Sequence, residues 1–461
     1  MTTYDPPRPW IASYAEGVPA DLEPVTGSLV DIVEASARDY PDAAALQFFG
    51  RETSYRSLHE QIDRAAAGLR ALGVRPGDPV AIVLPNCPQH IVAFYAILRL
   101  GAVVIEHNPL YTPRELRKQF EDHGAKHAIV WSKVVKTAQE FPADLEVTSL
   151  VSVDITRAMP FTTRLALRLP ISQAREARTA LTERVSGAIP WESVVGSEPL
   201  PATHPKPATD DLALIQYTSG TTGAPKGAAL THRNLLSNAA QARAWVPSIV
   251  RGEGCVVYAV LPMFHAYGLT LCLTFAMSMG ARLVLFPRFD PDMVLEVTKK
   301  HPATFLPLVP PIADRLLKAA RDKDVSLEGT EIAISGAMAL PHELVVPFEA
   351  ASGGYLVEGY GLSECSPCSW PTRSPTIGCP APSGRRCPAP SAVSSTPTTR
   401  PRTCRRASAV SWSCADRRCS AGTTASPRRP KRSSPTAGSA PATSSSSTTP
   451  ASCGSSTGSR S

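Results

Sequence analysis

The last 94 residues of the chain, 368–461, set the strongest limit on what it can fold into. They contain no leucine, phenylalanine, tyrosine, methionine, asparagine, glutamine, histidine or glutamate. A segment this poor in large apolar side chains cannot bury enough surface to build a core. It carries a net charge of +13 whereas the whole chain carries +7, so residues 1–367 carry −6. We therefore expect a folded region that ends at Pro367 and a disordered, low-complexity basic tail.

A loop rich in glycine and hydroxyl side chains, YTSGTTGAPKG at 217–227, is the strongest functional signal in the folded region. Glycines let backbone N–H groups approach an anion, the hydroxyls add donors, and Lys226 brings a positive charge to the outer phosphates. The spacing differs from a Walker A loop because only two residues separate Gly223 from Lys226. An apolar stretch at 212–217 precedes the loop and a helical pattern opens near Thr231, so we predict a strand–loop–helix phosphate cradle rather than a flexible linker.

The rest of the folded region alternates between helical and extended patterns. Ser57 and Glu60 form a capping-box pattern, and Thr112 followed by Pro113 is a second helix start. Apolar β-rich runs alternate with helical segments such as 291–300, and these runs lie at 256–261, 282–286, 304–309 and 331–335. This alternation predicts an α/β fold with doubly wound sheets. Ligands of such sheets bind beyond the carboxyl ends of the strands, so we expect the motifs to converge on one pocket.

Four motifs together resemble one protein family. YTSGTTGAPKG at 217–227, LPMFHAYG at 261–268, SGAM at 335–338 and EGYGLSE at 358–364 resemble, in order, the signatures of the adenylate-forming (AMP-binding) superfamily. That superfamily includes acyl-CoA synthetases, luciferases and peptide-synthetase adenylation domains. The resemblance implies a large N-terminal domain of doubly wound sheets packed together, and a smaller C-terminal domain that residues 368–461 do not resemble.

The resemblance also implies roles for single residues. Lys226 would bind the outer phosphates of ATP, and Glu364 with Thr218 would hold Mg²⁺; these three are the predicted catalytic residues. His265 and Gly268 would belong to the acyl pocket. The other predicted nucleotide-binding residues are Ser219, Gly220, Thr221, Thr222, Gly223, Ser335, Gly336, Ala337, Glu358, Gly359, Tyr360, Gly361 and Ser363.

Several of these residues also have a purely structural interpretation. Tyr360 could be a core aromatic, although the glycines on either side of it favour an exposed backbone. His265 could be a hydrogen-bonded core histidine. We interpret Cys365 as a small packing residue and His107 as structural.

The basic tail admits three interpretations: a disordered Ser/Pro/Arg tail, a nucleic-acid-binding arm, or an altered reading frame. Codons for 368–373, 437–444 and 454–461 can be chosen so that a one-base shift gives Leu-Met-Ala-Asn-Pro, Trp-Phe-Arg-Thr-Gly-Asp and Ile-Val-Asp-Arg-Ile-Lys-Glu. These resemble, in order, the downstream sequence of the superfamily. We therefore favour a frameshift, and we expect no specific nucleic-acid partner.

The stretches around Asn86 and at 108–112 look most like medium- or long-chain fatty acyl-CoA synthetases. The resemblance then implies a fatty acid CoA ligase whose substrates are a fatty acid, ATP and CoA, impaired in a chain without the C-terminal domain. One alternative is an inactive remnant that binds a nucleotide or acyl ligand. Another is an aryl-acid or peptide-synthetase-like adenylating enzyme.

The sequence predicts a cytoplasmic location. Residues 1–10 lack the apolar segment of a secretory signal, and the longest apolar run, 267–280, is too short to span a bilayer. Residues 157–178 interleave five arginines with Phe161, Leu165, Leu167, Leu169 and Ile171. We interpret this segment as an ordinary solvated surface element, with peripheral contact to the anionic inner face of a membrane as the alternative.

Overall fold

The computed structural model describes residues 11, 14–141, 143–218, 226–365 and 368–372. All of these residues belong to one compact unit, 1–425, and a second unit, 426–461, lies outside the described residues. The strands are β1 Ala44–Phe48, β2 Arg51–Ser54, β3 Pro79–Val83, β4 Val103–Glu106, β5 His127–Trp131, β6 Ser149–Val153, β7 Ile189–Pro190, β8 Leu212–Thr218, β9 Lys226–Thr231, β10 Val256–Ala259, β11 Arg282–Leu285, β12 Phe305–Leu308, β13 Ile332–Ser335, β14 Tyr355–Gly361 and β15 Cys368–Thr372.

The helices are α1 Leu29–Asp39, α2 Tyr55–Ala71, α3 Pro88–Arg99, α4 Pro113–His123, α5 Val135–Gln139, α6 Phe161–Ala166, α7 Ser172–Leu181, α8 Trp191–Val195, α9 His232–Trp245, α10 Ala266–Gly268, α11 Phe275–Met279, α12 Pro291–Thr298, α13 Pro310–Asp322 and α14 His342–Ser352. A π-helical segment, Leu269–Thr274, joins α10 to α11. A 3-10 turn, Ser363–Cys365, follows β14.

Within the described residues the strands form two mainly parallel sheets. The larger sheet has the order β15-β14-β13-β12-β10-β11-β1-β2, and the smaller sheet has the order β7-β6-β5-β3-β4-β8-β9. Pairing is antiparallel at β14–β15 and β1–β2 in the larger sheet and at β8–β9 in the smaller one. The prediction of doubly wound α/β sheets is therefore confirmed, and the parallel strands place their carboxyl ends at a common edge of each sheet.

Helix α3 lies in the main hydrophobic core, which combines residues of both sheets. Apart from Pro88, every residue of α3 is buried. Its sequence is apolar on nearly all faces, as expected for a helix that is covered on every side. Cys87 is its N-cap and Pro88 its first residue, where a missing backbone N–H costs no hydrogen bond.

Most local predictions agree with the structure. The predicted strands correspond to β10, β11, β12 and β13, and the helix predicted at 291–300 is α12. Thr112 caps α4 in a reciprocal capping box with Glu115. Helix α2 begins earlier than predicted, at Tyr55, because the hydroxyl of Ser54 accepts a hydrogen bond from the backbone N–H of Ser57 and acts as the N-cap.

The apolar run at 267–280 is a helical segment that extends from α10 through α11, and all of its residues except Tyr267 are buried. None of the helices in the described residues combines the length and apolar character that a bilayer crossing requires. Strand β15 lies just past the predicted boundary at Pro367 and pairs with β14. The boundary itself and the altered reading frame stay predictions, since the chain beyond Thr372 lies outside the described residues.

Candidate nucleotide and acyl site

The predicted phosphate loop connects two antiparallel strands. Thr218, the last residue of β8, is the cross-strand partner of Lys226, the first residue of β9. The Thr218 hydroxyl donates to the backbone carbonyl of Lys226 at 3.5 Å. The predicted strand–loop–helix order was therefore incomplete, because β9 lies between the loop and α9. The pairing brings the two ends of the loop, with an exposed Lys226 side chain, to the edge of the smaller sheet.

The middle of this loop lies outside the described residues. It contains five of the predicted nucleotide-binding residues, which are Ser219, Gly220, Thr221, Thr222 and Gly223. Their roles therefore stay predictions, and the geometry below concerns the residues on either side of them.

A buried anchor fixes β8 just before the loop. The Tyr217 hydroxyl donates to Asp122 Oδ2 at 2.7 Å. Burial raises the pKa of Tyr217, and the nearby Asp122 carboxylate raises it further. The rings of His107 and His123 each lie 6.1 Å from the Tyr217 ring, measured between centroids. The phosphate loop thus leaves the sheet from a residue held by both a hydrogen bond and ring contacts.

The two histidines form a hydrogen-bonded chain with defined protons. The Ala125 backbone N–H donates to His123 Nδ1 at 3.0 Å, so the His123 proton is on Nε2. That nitrogen donates to His107 Nε2 at 3.1 Å, and His107 Nδ1 then donates to Gln119 Oε1 at 2.6 Å. Burial lowers the pKa of His107 to about 4, and burial and the neighbouring imidazole lower that of His123. Both rings are therefore neutral near pH 7, which agrees with a structural role for His107.

This neutral pair predicts acid sensitivity of the fold. Between pH 6.5, the ordinary pKa of histidine, and about 4, the unfolded chain binds a proton at His107 that the folded chain does not. The free energy of unfolding should therefore decrease as the pH is lowered through that window, by about 1.4 kcal/mol per pH unit for such a group. Urea unfolding at several pH values should show a shallower slope for His107→Gln than for the exposed control His342→Gln. Equal slopes for the two variants would contradict the prediction.

Strand β8 also contacts the loop that carries His265. Gln216 Nε2 donates to the backbone carbonyl of Phe264 at 2.5 Å, which joins the smaller sheet to the segment after β10 of the larger sheet. His265 is the N-cap of α10, its side chain is exposed, and its ring lies 4.8 Å from the Phe264 ring between centroids. His265 is therefore not a core histidine. Its place in an acyl pocket stays a prediction.

Gly268 is buried in this segment for a steric reason. A Cβ at position 268 would lie 2.1 Å from the backbone oxygen of Pro262, closer than any side chain can approach. Only glycine lets α10 pass that close to the preceding loop. The structure gives Gly268 a packing role, and its predicted contact with an acyl group is not tested.

Tyr267 links the His265 segment to the predicted adenine loop at 335–337. Its hydroxyl contacts the backbone carbonyls at the ends of two neighbouring strands, Ile334 at 2.8 Å and Leu308 at 3.2 Å. A Cβ at Gly336 would lie 3.0 Å from the Tyr267 ring, so the loop rests directly on that ring. Ala337 has φ of 66°, a left-handed conformation that non-glycine residues rarely adopt. Such strain is typical of ligand-binding turns.

The fourth motif, at 358–364, pairs with the strand that leads into the predicted adenine loop. Ser335 at the end of β13 is in register with Glu358 of β14, and the Glu358 carboxylate accepts from the Leu340 backbone N–H at 3.0 Å. Gly359, Tyr360 and Gly361 therefore lie within β14 rather than after a strand. Tyr360 is 63% exposed, which excludes the core-aromatic interpretation.

Comparison with known proteins decides the family. A family model described as AMP-binding enzyme matches residues 33–387. The chain belongs to the AMP-binding enzyme family. This agrees with the resemblance of its four motifs and with the two packed sheets.

This AMP-binding enzyme is similar to two curated relatives and one solved structure. A long-chain-fatty-acid–CoA ligase of Bacillus subtilis strain 168 is 34% identical over 387 residues, which cover 82% of this chain and 68% of the relative. A ligase of the same name from Salmonella typhimurium is 34% identical over 378 residues, which cover 78% and 64%. The crystal structure of the anthranilate CoA ligase AuaEII in complex with anthranoyl-AMP matches with a TM-score of 0.63 at 22% identity, covering 74% of this chain and 61% of that one. The chain thus spans about two thirds of the length of these relatives.

The acidic motif of this AMP-binding enzyme lies beside β9, the strand that follows the predicted phosphate loop. The 3-10 turn Ser363–Cys365 packs against β9, the strand that begins with Lys226. Glu364 and Ser363 are half-buried there, and the Cys365 side chain lies outside the described residues. No cluster of three or more His, Cys, Asp or Glu side chains suited to a metal occurs among the described residues. A single carboxylate with hydroxyl oxygens fits Mg²⁺ that takes its other ligands from water and phosphate.

Three residues that hold the site together were not predicted from the sequence. Gln216 and Tyr267 connect neighbouring motifs, and Asn86 connects the two sheets. Each lies inside or beside a recognised motif, and this closeness to a motif was the one sequence signal that could have indicated a role in the site. Their roles depend on contacts with backbone groups far away in the sequence, which no local pattern reveals.

Proposed function

We propose that the protein activates a fatty carboxylate with ATP, forming an acyl-adenylate, and then transfers the acyl group to CoA. The observation that carries the proposal is the convergence of the separated motifs. A continuous set of hydrogen bonds and strand pairs connects Thr218 and Lys226, through Gln216 and the His265 segment, to the loop at Ser335. An ATP-dependent adenylating site needs a phosphate loop, an adenine loop and an acid close together.

In the first step, a carboxylate oxygen of the acid attacks the α-phosphorus of ATP, the bond from that phosphorus to the β-phosphate oxygen breaks, and pyrophosphate leaves. The charged Lys226 side chain would neutralise charge on the departing phosphates. Glu364 and Thr218 would hold Mg²⁺, which supplies charge stabilisation on the phosphate oxygens. Tyr360 would stack on adenine, and the backbone at 335–337 would contact the base edge.

In the second step, the CoA thiol loses its proton to water and its sulfur attacks the acyl carbon. The bond from that carbon to the phosphate oxygen breaks, and AMP leaves with the bonding electron pair. The names of the two curated relatives support a fatty acid as the acid and CoA as the acceptor. The exposed His265 would contact the acyl group of that acid, and the hydrogen bond from Gln216, the residue two before Thr218, to the neighbouring Phe264 carbonyl supports this role. A cytoplasmic location, where ATP and CoA are both present, follows from the same chemistry.

The test is ATP–pyrophosphate exchange by the purified chain with a panel of acids, followed by a thioester assay with CoA. We expect weak exchange, as for an impaired ligase, that depends on a medium- or long-chain fatty acid and is lost in Glu364→Gln, while the exposed control Glu328→Gln retains it. Exchange only with aryl acids would overturn the substrate class. Nucleotide binding without exchange for any acid would overturn the proposed activity and indicate a binding remnant.

A further inference from the structure

We propose that the segment 161–178, here named the arginine–leucine segment, docks the protein onto the surface of an anionic lipid bilayer. The choice of a lipid partner rests on the proposed function, because fatty acids partition into membranes. Three features of the segment support docking: its exposed apolar side chains, its uncompensated positive charge and its position on the fold.

The arginine–leucine segment exposes an unusual concentration of apolar side chains. Eleven large hydrophobic side chains are exposed among the described residues, and four of them fall between 161 and 171. These are Phe161 at 74%, Leu165 at 55%, and Leu169 and Ile171 at 50% each. A surface helix normally buries one apolar face, but α6 buries none of its residues. Its Phe161 and Leu165 are four positions apart and so lie on one side of the helix.

The arginine–leucine segment is attached to the fold at both ends, although its apolar side chains are exposed. Met159, just before α6, is buried in the main core, and Leu167 packs partly against that core. After the segment, the indole N–H of Trp131 donates to the backbone carbonyl of Leu181 at 2.8 Å. The fold therefore holds both ends of the segment and presents its apolar residues to the outside.

The charge of the segment is complementary to anionic lipid. It contains four arginines, at 164, 168, 175 and 178, and one acid, Glu176. Arg157, just upstream, contacts Asp154 and Glu192 at 3.9 Å, but the four arginines of the segment form no ion pair with any other described residue. Apolar side chains flanked by unpaired arginines match the boundary between lipid headgroups and acyl chains. An acidic protein surface would match the arginines but not the apolar side chains.

The position of the segment also suits this role. It follows β6 and the short 3-10 turn Ile155–Ala158, so the chain leaves the smaller sheet at the carboxyl edge. The phosphate loop leaves the same edge after β8, which lies four strands away in the order β6-β5-β3-β4-β8. At the usual strand spacing this is roughly 19 Å. A bilayer that contacts the arginine–leucine segment would therefore lie at the same edge of the smaller sheet as the candidate nucleotide site.

The experiment must locate the contact, because the basic residues beyond 367 could bind anionic vesicles on their own. Phe161→Trp and the control Val346→Trp, at a position 73% exposed, place equally accessible indoles inside and outside the segment. Because the chain has six native tryptophans, the emission of each introduced indole is taken as the difference between the variant and the unmodified chain. In that difference, vesicles of phosphatidylcholine mixed with phosphatidylglycerol should shift the emission of the position-161 indole to the blue. Brominated acyl chains should quench it, and the position-346 indole should show neither effect. ATP and CoA are absent, so loss of ligase activity cannot produce the same result.

Binding variants complete the test. In flotation with the mixed vesicles, Phe161→Ser with Leu165→Ser should weaken binding on the order of tenfold or more, and so should Arg164→Glu with Arg168→Glu. The control pair Val250→Ser with Val346→Ser should bind like the unmodified chain. Equal binding by all variants, or no quenching of the position-161 indole, would overturn the proposal. Self-association that the serine pair abolishes, without vesicle binding, would also overturn it in favour of a second copy of the chain.

Discussion

Asn86→Ala should lower the free energy of unfolding by about 3–5 kcal/mol, because three buried backbone groups would lose their partner. Asn86 follows β3 of the smaller sheet and is 4% exposed. Its Nδ2 donates to the carbonyls of Ala259 at 2.9 Å and Leu261 at 2.8 Å, and its Oδ1 accepts from the Met263 N–H at 2.9 Å. One side chain thus fastens the end of β3 to the segment after β10 in the larger sheet, just before His265.

The measurement is guanidinium or urea unfolding of the variant beside the unmodified chain. Asn108→Ala is the matched control, since Asn108 Oδ1 accepts one hydrogen bond from the Leu110 N–H at 2.9 Å in an exposed turn. That variant should lose less than about 1 kcal/mol. Similar losses for the two variants would show that the junction between the sheets does not depend on Asn86.

Lys226→Ala should weaken binding of ATP with Mg²⁺ about tenfold to a hundredfold. Hydrogen bonds to charged groups contribute about 1.5–3 kcal/mol each, and this range corresponds to that change in affinity. Lys226 is exposed at the start of β9, directly across from Thr218, and the turn that carries Glu364 packs against the same strand. Its charge therefore lies at the end of the phosphate loop, where the chain enters β9.

Titration calorimetry of the purified chain measures this effect without requiring turnover. Lys318→Ala, an exposed lysine of α13, removes the same charge away from the site and should bind ATP like the unmodified chain. Lys226→Arg should retain part of the affinity because it keeps the charge. Unchanged affinity in Lys226→Ala would refute the proposed role of this lysine and leave the rest of the site to explain any nucleotide binding.

Local sequence signals predicted much of the fold. The pair Thr112 and Glu115 predicts a helix start because its hydrogen bonds lie within four residues, and the structure has this start at α4. The strand at 256–261 was predicted because a buried parallel strand is apolar along its length. Strand β9 was missed because its residues are mostly small and half-buried, and only pairing with β8 makes them a strand.

For the site, the sequence alone was enough to identify the four motifs and the family. The residue types at 217–227 were enough to predict a phosphate-binding loop. Those features depend on short-range spacing, which a linear chain carries directly. The structure decided which motifs are neighbours, because Gln216, Tyr267 and Asn86 each donate to backbone carbonyls that are distant in the sequence. It also decided that His107 is buried and neutral and that Phe161 is exposed. Burial and contact between distant residues are properties of packing, which exists only once both sheets have formed.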